Sequence, residues 1–162
     1  MTYETGGPYN SSTILDGGSG QRAGLIGEMA FAEALAEHRI TYQHLGGEAQ
    51  HHDFLVNGHK IDVKAKQRNV EPSYDYDAHV TSSIKDKDCR LYVFASVTDG
   101  KPTLMGWMGK EEFWAEAKEV KEGELDESGK AERADAGKLK YSMLRPMERL
   151  WPLLGGGYGL ES

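Results

Sequence analysis

The Asn57-Gly58 dipeptide constrains the fold more than any other feature of this sequence. It separates two short runs, 52–56 and 59–65, in which apolar and polar residues alternate. Such alternation is typical of a strand that is buried on one face, and Asn-Gly is the preferred pair for a two-residue turn between antiparallel strands. The sequence therefore predicts a β-hairpin with a defined register.

The register of that hairpin predicts which side chains share a face. In a two-residue hairpin Val56 faces His59, and counting outward places Asp53 opposite Asp62. One face carries apolar side chains and should pack in the core: Phe54, Val56, Ile61 and Val63. The other face carries charged side chains: Asp53, Lys60, Asp62 and Lys64. Two carboxylates are thus expected directly opposite each other.

Opposed carboxylates repel each other. Like charges across a strand pair destabilise it by about 0.2–1 kcal/mol, so Asp53 and Asp62 favour a compensating cation. Lys64 could supply that charge, or a hard divalent metal ion could bridge the carboxylates through its preference for oxygen ligands. The alternative is a solvated outer face whose charged side chains only keep the protein soluble. Both interpretations are open at this point.

The rest of the sequence alternates between helical and strand patterns. Residues 22–38 are rich in Ala and Leu and predict a helix, with core positions at Leu25, Met29, Ala32 and Ala36 and with Leu35 beside them. The apolar run 91–97 predicts a strand that is buried on both faces. Further elements follow: a strand near 103–108, a helix over 110–120, an exposed charged loop over 121–138, and a strand with a helical turn over 139–154. This order predicts an α/β or α+β fold, with helices covering a sheet.

Length and charge limit the classes of protein to which this chain can belong. Its 162 residues suit one domain, expected over 21–154, between a flexible segment over 1–20 and a flexible Gly-rich tail over 155–162. The net charge of −7 excludes a protein that holds nucleic acid by overall positive charge, but a local basic groove is compatible with it. The lone Cys89 cannot form an internal disulfide, and neither a signal peptide nor a membrane span is evident, so we expect a cytoplasmic protein.

The charged hairpin face and the helix before it resemble the PD-(D/E)XK nuclease superfamily. The matching residues are Asp53, the triplet Asp62-Val63-Lys64, and Glu28 in the segment GLIGEMAFAEAL. In that superfamily the first acid lies where one strand ends or bends, the triplet lies on the next strand, and an acid on the first helix often joins them. His52 stands where a proline commonly precedes the first acid. The resemblance covers roughly residues 22–97 and implies an αβββαβ restriction-endonuclease-like core, with a mixed sheet flanked by helices.

The resemblance also implies a role for each matching residue. Mg²⁺, for which Mn²⁺ could substitute, would be held by Asp53, by Asp62, by the backbone carbonyl of Val63 and, directly or through water, by Glu28. Such an ion prefers octahedral oxygen ligands, lowers the pKa of bound water and clamps the phosphate. Lys64 would orient the attacking water and stabilise negative charge that develops on the phosphate.

The residues after the triplet are candidates for binding the substrate. In many relatives a polar or basic residue at this point contacts substrate or metal, which here indicates Lys66, Gln67 and Arg68. They extend a basic strip along the second hairpin strand, as a groove for nucleic-acid phosphates requires. The alternative is a strand end in solvent. The segment 69–90 is likewise either a substrate-facing loop with Tyr74 and Tyr76 as stacking platforms or a polar surface loop.

Three histidines near Asp53 raise the question of a zinc site. They are His44, His51 and His52. Their spacing matches no zinc pattern, and adjacent residues of a strand point to opposite faces. We therefore do not expect zinc, although a histidine could act as an accessory base beside the metal.

The expected activity is that of a Mg²⁺-dependent deoxyribonuclease, an endonuclease in preference to an exonuclease. Its small size suggests phage or mobile-element DNA processing, or repair, inside a bacterial host. DNA is the expected partner, and a two-fold homodimer would suit the cutting of both strands. One alternative is a non-catalytic module on the same fold that binds nucleic acid or protein, although a degenerate nuclease usually loses one of Asp53, Asp62 and Lys64. Another is an unrelated small domain whose charged hairpin is accidental.

Overall fold

The computed structural model describes residues 10–45 and 53–155, with the side chains of the first helix from Gln21 onward. Its helices are α1 (Asn10–Glu37), α2 (Lys110–Glu116) and α3 (Leu150–Leu153). Its strands are β1 (Gln43–His44), β2 (Phe54–Val56), β3 (His59–Arg68), β4 (Asp77–Thr81), β5 (Leu91–Thr98), β6 (Lys101–Gly109), β7 (Lys118–Val120) and β8 (Ala136–Lys140). Short 3₁₀ helices span Ser82–Ile84, Tyr141–Met143 and Met147–Arg149. The predictions for residues 1–9, His51, His52 and 156–162 lie outside the described residues.

The strands form two sheets. The larger sheet has the order β1-β2-β3-β5-β6, in which β3 and β5 are parallel and the other neighbours are antiparallel. The smaller sheet is antiparallel, with the order β4-β8-β7. Helices flank the sheets, so the mixed α/β class predicted from the sequence is confirmed. The connection from β3 to β5, which is described throughout, contains β4 and a 3₁₀ helix but no α-helix.

The predicted hairpin is present in its predicted register. Phe54 of β2 pairs with Ile61 of β3. Asn57 (φ 48°) and Gly58 (φ 83°) both have positive φ, the backbone that a type I′ turn requires. The apolar hairpin face is buried as expected: Phe54, Val56, Ile61 and Val63. The charged face consequently lies on the opposite side of the larger sheet.

A hydrophobic core lies on each face of the larger sheet. One face packs against α1 and α3, with Phe31, Leu35, Phe54, Val93 and Leu150 among its buried side chains. The other face packs against α2 and the smaller sheet, with Ala78, Val80, Tyr92, Phe94, Phe113 and Leu139 among them. Because β5 contributes alternate residues to both cores, it is buried along its whole length, as its apolar sequence predicts.

Helix α1 begins at Asn10, well before the start predicted near residue 22. Its buried residues recur every four positions: Ala23, Gly27, Phe31 and Leu35. The predicted core stripe is therefore wrong in part, since Met29 is 57% exposed and Ala36 is exposed, with Leu25 and Ala32 only half-buried.

Gly27 explains which face of α1 is buried. A Cβ at this position would lie 2.9 Å from the Cβ of Ala65 in β3 and 3.4 Å from that of Ala95 in β5. Real Cβ atoms do not approach so closely, so the missing side chain lets the helix backbone lie directly against the sheet. Close approach of the backbone at Gly27 and burial of the large side chains Phe31 and Leu35 together set the orientation of the helix.

Other elements differ from the predictions in detail. β4 lies within the segment 69–90, and α2 ends at Glu116, earlier than the predicted end at 120. The residues from Lys121 to Asp135 form a largely exposed excursion, as their charge predicts, but the predicted loop over 121–138 is too long because β8 begins at the buried Ala136. Within the described residues, no helix is long and apolar enough to cross a membrane.

Candidate active site

Asp53 lies immediately before β2, where the ladder between β2 and β3 ends. Its backbone N–H donates to the carbonyl oxygen of Ile61 at 3.0 Å and to Oδ1 of Asp62 at 3.1 Å. Its own Oδ2 accepts a hydrogen bond from the backbone N–H of Val63 at 2.9 Å. The Asp53 carboxylate thus takes the place of a ladder carbonyl. The two acids that the sequence opposes are adjacent in the structure, each bonded to the strand of the other.

Asp62 is completely buried and lies between two lysines. Its Oδ2 is 3.1 Å from Nζ of Lys64 and 3.1 Å from Nζ of Lys87. Both lysine side chains are mostly buried, with 20% and 14% of their surface exposed. Within the described parts of the chain, this oxygen still has no hydrogen-bond partner. A buried carboxylate oxygen with close cations but no aligned donor has unused capacity to accept a ligand.

Lys87 belongs to the segment 69–90, which the sequence predicts as a substrate-facing or a surface loop, but its contact with Asp62 is not predicted by the sequence. It follows the 3₁₀ helix Ser82–Ile84 in the connection between β4 and β5, and its N–H donates to the carbonyl oxygen of Ile84 at 3.0 Å. Its own carbonyl accepts from Nζ of Lys110 at 2.6 Å and from the backbone N–H of Cys89 at 2.8 Å. These bonds hold the backbone of Lys87, so its ammonium group is presented to Asp62 in a defined direction.

Glu28 lies one residue after the close contact of Gly27 with the sheet. Its Oε1 accepts a hydrogen bond from Nε2 of His44 at 2.8 Å. The His44 ring stacks on Phe54, with ring centroids 4.4 Å apart and planes 4° apart. His44 thereby holds the Glu28 carboxylate beside the start of β2. Glu28 is also close enough to Asp53 for its negative charge to raise the pKa of that carboxyl.

The acids interact strongly enough to perturb Asp53. Burial raises the pKa of Asp53 from 3.8 to about 7, and the negative charges of Glu28 and Asp62 contribute to that rise. The Val63 N–H and the charge of Lys87 lower the pKa but do not compensate. At neutral pH the Asp53 carboxyl is therefore partly protonated, and a divalent cation beside it would favour the ionised form.

The donor set around Asp53 suits a hard cation. Because the N–H and C=O of one strand residue point to the same edge, the Val63 carbonyl is directed to the Asp53 side of β3. Two carboxylates and one carbonyl supply oxygen ligands, and Mg²⁺ typically takes one or two carboxylates and keeps several waters. Among residues 10–45 and 53–155, no group of three or more His, Cys, Asp and Glu side chains is placed to hold a metal ion, so Glu28 does not complete such a group with Asp53 and Asp62.

The residues after the triplet separate into two groups. Lys66 and Arg68 line a groove on the same face of β3 as Asp62, whereas Gln67 does not line it because side chains alternate along a strand. Arg68 donates from Nη2 to the carbonyl oxygen of Asp77 at 2.9 Å, and its guanidinium lies 4.8 Å from the centre of the Tyr76 ring. Arg68 and Tyr76 thus join β3 to β4, and Lys66 is the more available cation.

Comparison of the chain with models of protein families, with curated proteins and with solved structures found no match. The functional interpretation therefore depends on the geometry of the residues described above.

Proposed function

We propose that this protein is a metal-dependent nuclease that hydrolyses phosphodiester bonds in DNA. The observation that carries the proposal is the pair of hairpin carboxylates, Asp53 and Asp62, bonded to each other's strands, with Nζ of Lys64 at 3.1 Å from Asp62. Paired acids beside a lysine supply what phosphodiester hydrolysis needs: oxygen ligands for a cation and a fixed positive charge for the phosphate.

The metal ligands would be Asp53, Asp62 and the carbonyl of Val63. Glu28 would contact the ion through water. Bound there, Mg²⁺ would lower the pKa of a water and neutralise charge on the phosphoryl oxygens. The negative charges of Glu28 and Asp62, which help to raise the pKa of Asp53, support this assignment because they would also attract a cation.

Two ammonium groups would act on the phosphate. Lys64 keeps a fifth of its side chain exposed, so its Nζ can donate to a water or a phosphate oxygen without losing its place beside Asp62. Lys87, held through its backbone carbonyl by Lys110, would add a second fixed charge. Preorganised charges of this kind are effective because the protein need not reorganise when negative charge develops.

One observation favours a second candidate, a non-catalytic module that binds nucleic acid. Asp62 already has two cations at 3.1 Å, an arrangement that also fits a closed structural ion cluster. In that case the acids would stabilise the hairpin and contribute nothing to cleavage.

A cleavage panel separates the two candidates. The purified protein is incubated with linear, nicked, branched and single-stranded DNA in Mg²⁺, in Mn²⁺ or in chelator. The nuclease proposal expects cleavage in either metal and none in chelator, with loss of cleavage and of metal binding in Asp62→Asn. Asp88→Asn, which alters an exposed carboxylate beside Lys60, is the matched control and should retain activity. Binding without cleavage of any substrate in both metals would favour the non-catalytic module.

A further inference from the structure

A groove of about 840 Å³ lies beside the candidate active site, between the end of β3, the smaller sheet and the excursion Lys121 to Asp135. The strand side of the groove has more basic than acidic side chains. This basic floor consists of Lys66 and Arg68 on β3, His79 on β4, Lys118 on β7, and Lys138 and Lys140 on β8, and Asp75, Asp77 and Glu116 lie beside them. The excursion side is mainly acidic, and this acidic wall consists of Glu124, Asp126, Glu127 and Glu132, with Lys130 among them.

The basic floor contains cations at directly opposed strand positions. In the smaller sheet Lys138 pairs with His79 on one side and with Lys118 on the other. Lys118 and Lys138 are like charges at opposed positions, and such a pair destabilises a sheet unless an anion lies beside it. Burial lowers the pKa of His79, and the charges of Lys66 and Lys138 lower it further.

Lys66 connects this row to the candidate active site. It lies two residues after Lys64 on the same face of β3, a separation of about 7 Å along the strand. Burial lowers the pKa of Lys66, and the neighbouring charges of Arg68 and Lys138 lower it further. An anion in the groove would relieve this repulsion among the cations.

The acidic wall already supplies one such anion. Oε2 of Glu132 lies 2.7 Å from Nζ of Lys138, and only 9% and 19% of the two side chains are exposed. The backbone N–H of Glu132 donates to the carbonyl oxygen of Glu124 at 2.7 Å, and the N–H of Gly123 donates to that of Glu132 at 2.9 Å. The excursion therefore holds a carboxylate against the centre of the cationic row.

We propose that the basic floor binds the phosphodiester backbone of DNA, and that the Glu132 carboxylate occupies the phosphate position at Lys138 until DNA displaces it. The proposal rests on the proposed function, since it places the backbone along β3 next to Lys64. Lys118, Lys138 and Lys140 are then phosphate-binding residues, and Glu132 is a competitor built into the chain. A protein with a net charge of −7 would in this way keep a cationic groove covered in the absence of DNA.

Binding of fluorescently labelled duplex DNA by the whole protein, measured by anisotropy in chelator over a series of salt concentrations, tests this proposal. Lys138→Ala and the exposed Lys118→Ala should each weaken binding. Each should also make the negative slope of log K against log salt shallower by about 1, because each lysine neutralises about one phosphate. Glu132→Gln should tighten binding about fivefold and make the negative slope steeper, because Lys138 becomes available to a phosphate. The matched controls are Arg149→Ala and Glu33→Gln, exposed residues that do not line the groove.

Each outcome decides between named alternatives, with folding of every variant checked by thermal melting. Equal salt slopes for Lys118→Ala, Lys138→Ala and Arg149→Ala would remove the basic floor from DNA binding, even if the protein cleaves DNA. Unchanged or weaker binding by Glu132→Gln would overturn the role of the acidic wall. Tighter binding of a duplex RNA of the same sequence would overturn the choice of DNA. Binding that depends on the floor, without cleavage in Mg²⁺ or Mn²⁺, would support this inference and refute the nuclease proposal.

Discussion

Replacement of Lys64 by Ala is the sharpest test of the candidate site. The ammonium group lies 3.1 Å from Asp62 Oδ2 with a fifth of its side chain exposed, so it can reach a phosphate while the carboxylate holds it. Removal of one such transition-state contact typically lowers the rate by about 10²–10³-fold. Metal affinity should be unchanged or slightly stronger, because one positive neighbour of Asp62 is lost. Turnover and metal affinity are therefore expected to separate.

The effect of this change on stability can be bounded from the same geometry. Loss of one partner of a buried ion pair costs about 3–5 kcal/mol when the remaining charge has no other partner. Asp62 keeps Lys87 at 3.1 Å, so we expect a smaller loss of roughly 1–2 kcal/mol in the free energy of unfolding. Chemical denaturation followed by circular dichroism measures it, and the variant should remain folded at 25 °C.

Lys60→Ala is the matched control for this experiment. Lys60 is on the same strand as Lys64, but it pairs with the exposed Asp88 at 2.9 Å. Its replacement should change stability by less than about 0.5 kcal/mol and leave turnover unaltered. The Asp62→Asn protein, purified in the same way, should show no cleavage and so exclude a contaminating nuclease. Full cleavage activity in Lys64→Ala under these conditions would refute the assignment of Lys64 to the site.

Three further results are expected. Mg²⁺ affinity measured by calorimetry should rise about tenfold per pH unit below pH 7 and level off above it, because the ion competes with a proton on Asp53, whose pKa is raised to about 7. A flat profile would contradict binding at Asp53. Glu28→Gln should move the midpoint of that profile to lower pH by removing one negative charge, whereas Glu33→Gln on the exposed side of α1 should not. Gly27→Ala should lower the thermal midpoint of unfolding, because the new Cβ would lie 2.9 Å from that of Ala65. The overpacking costs about 1–3 kcal/mol, whereas the gain in helix propensity is about 1 kcal/mol. An unchanged midpoint would show that the helix can shift freely.

The orientation of α1 shows where sequence patterns mislead. Large apolar residues usually indicate the buried face of a helix, which makes Met29 a predicted core position, yet it is more than half exposed. The buried face combines the large side chains Phe31 and Leu35 with Gly27, whose contribution is the absence of a side chain. A pattern of apolar residues cannot reveal such a contact, because the partner alanines lie on strands far along the chain.

The hairpin was determined by the sequence alone. A two-residue turn with positive φ sets the register between residues that are close in the chain, and the register sets which side chains share a face. The adjacency of Asp53 and Asp62 follows from these local rules.

Only the tertiary structure decided what surrounds those acids. Lys87 reaches Asp62 because a connection of 22 residues from Arg68 to Leu91 returns to the site, and no periodicity marks a residue in such a connection. The row of cations in the smaller sheet likewise arises from pairing of β4 with β8 and of β8 with β7. Local preferences act over a few residues, whereas these contacts depend on how separate elements pack, which is decided by burial of the two cores on either side of the larger sheet.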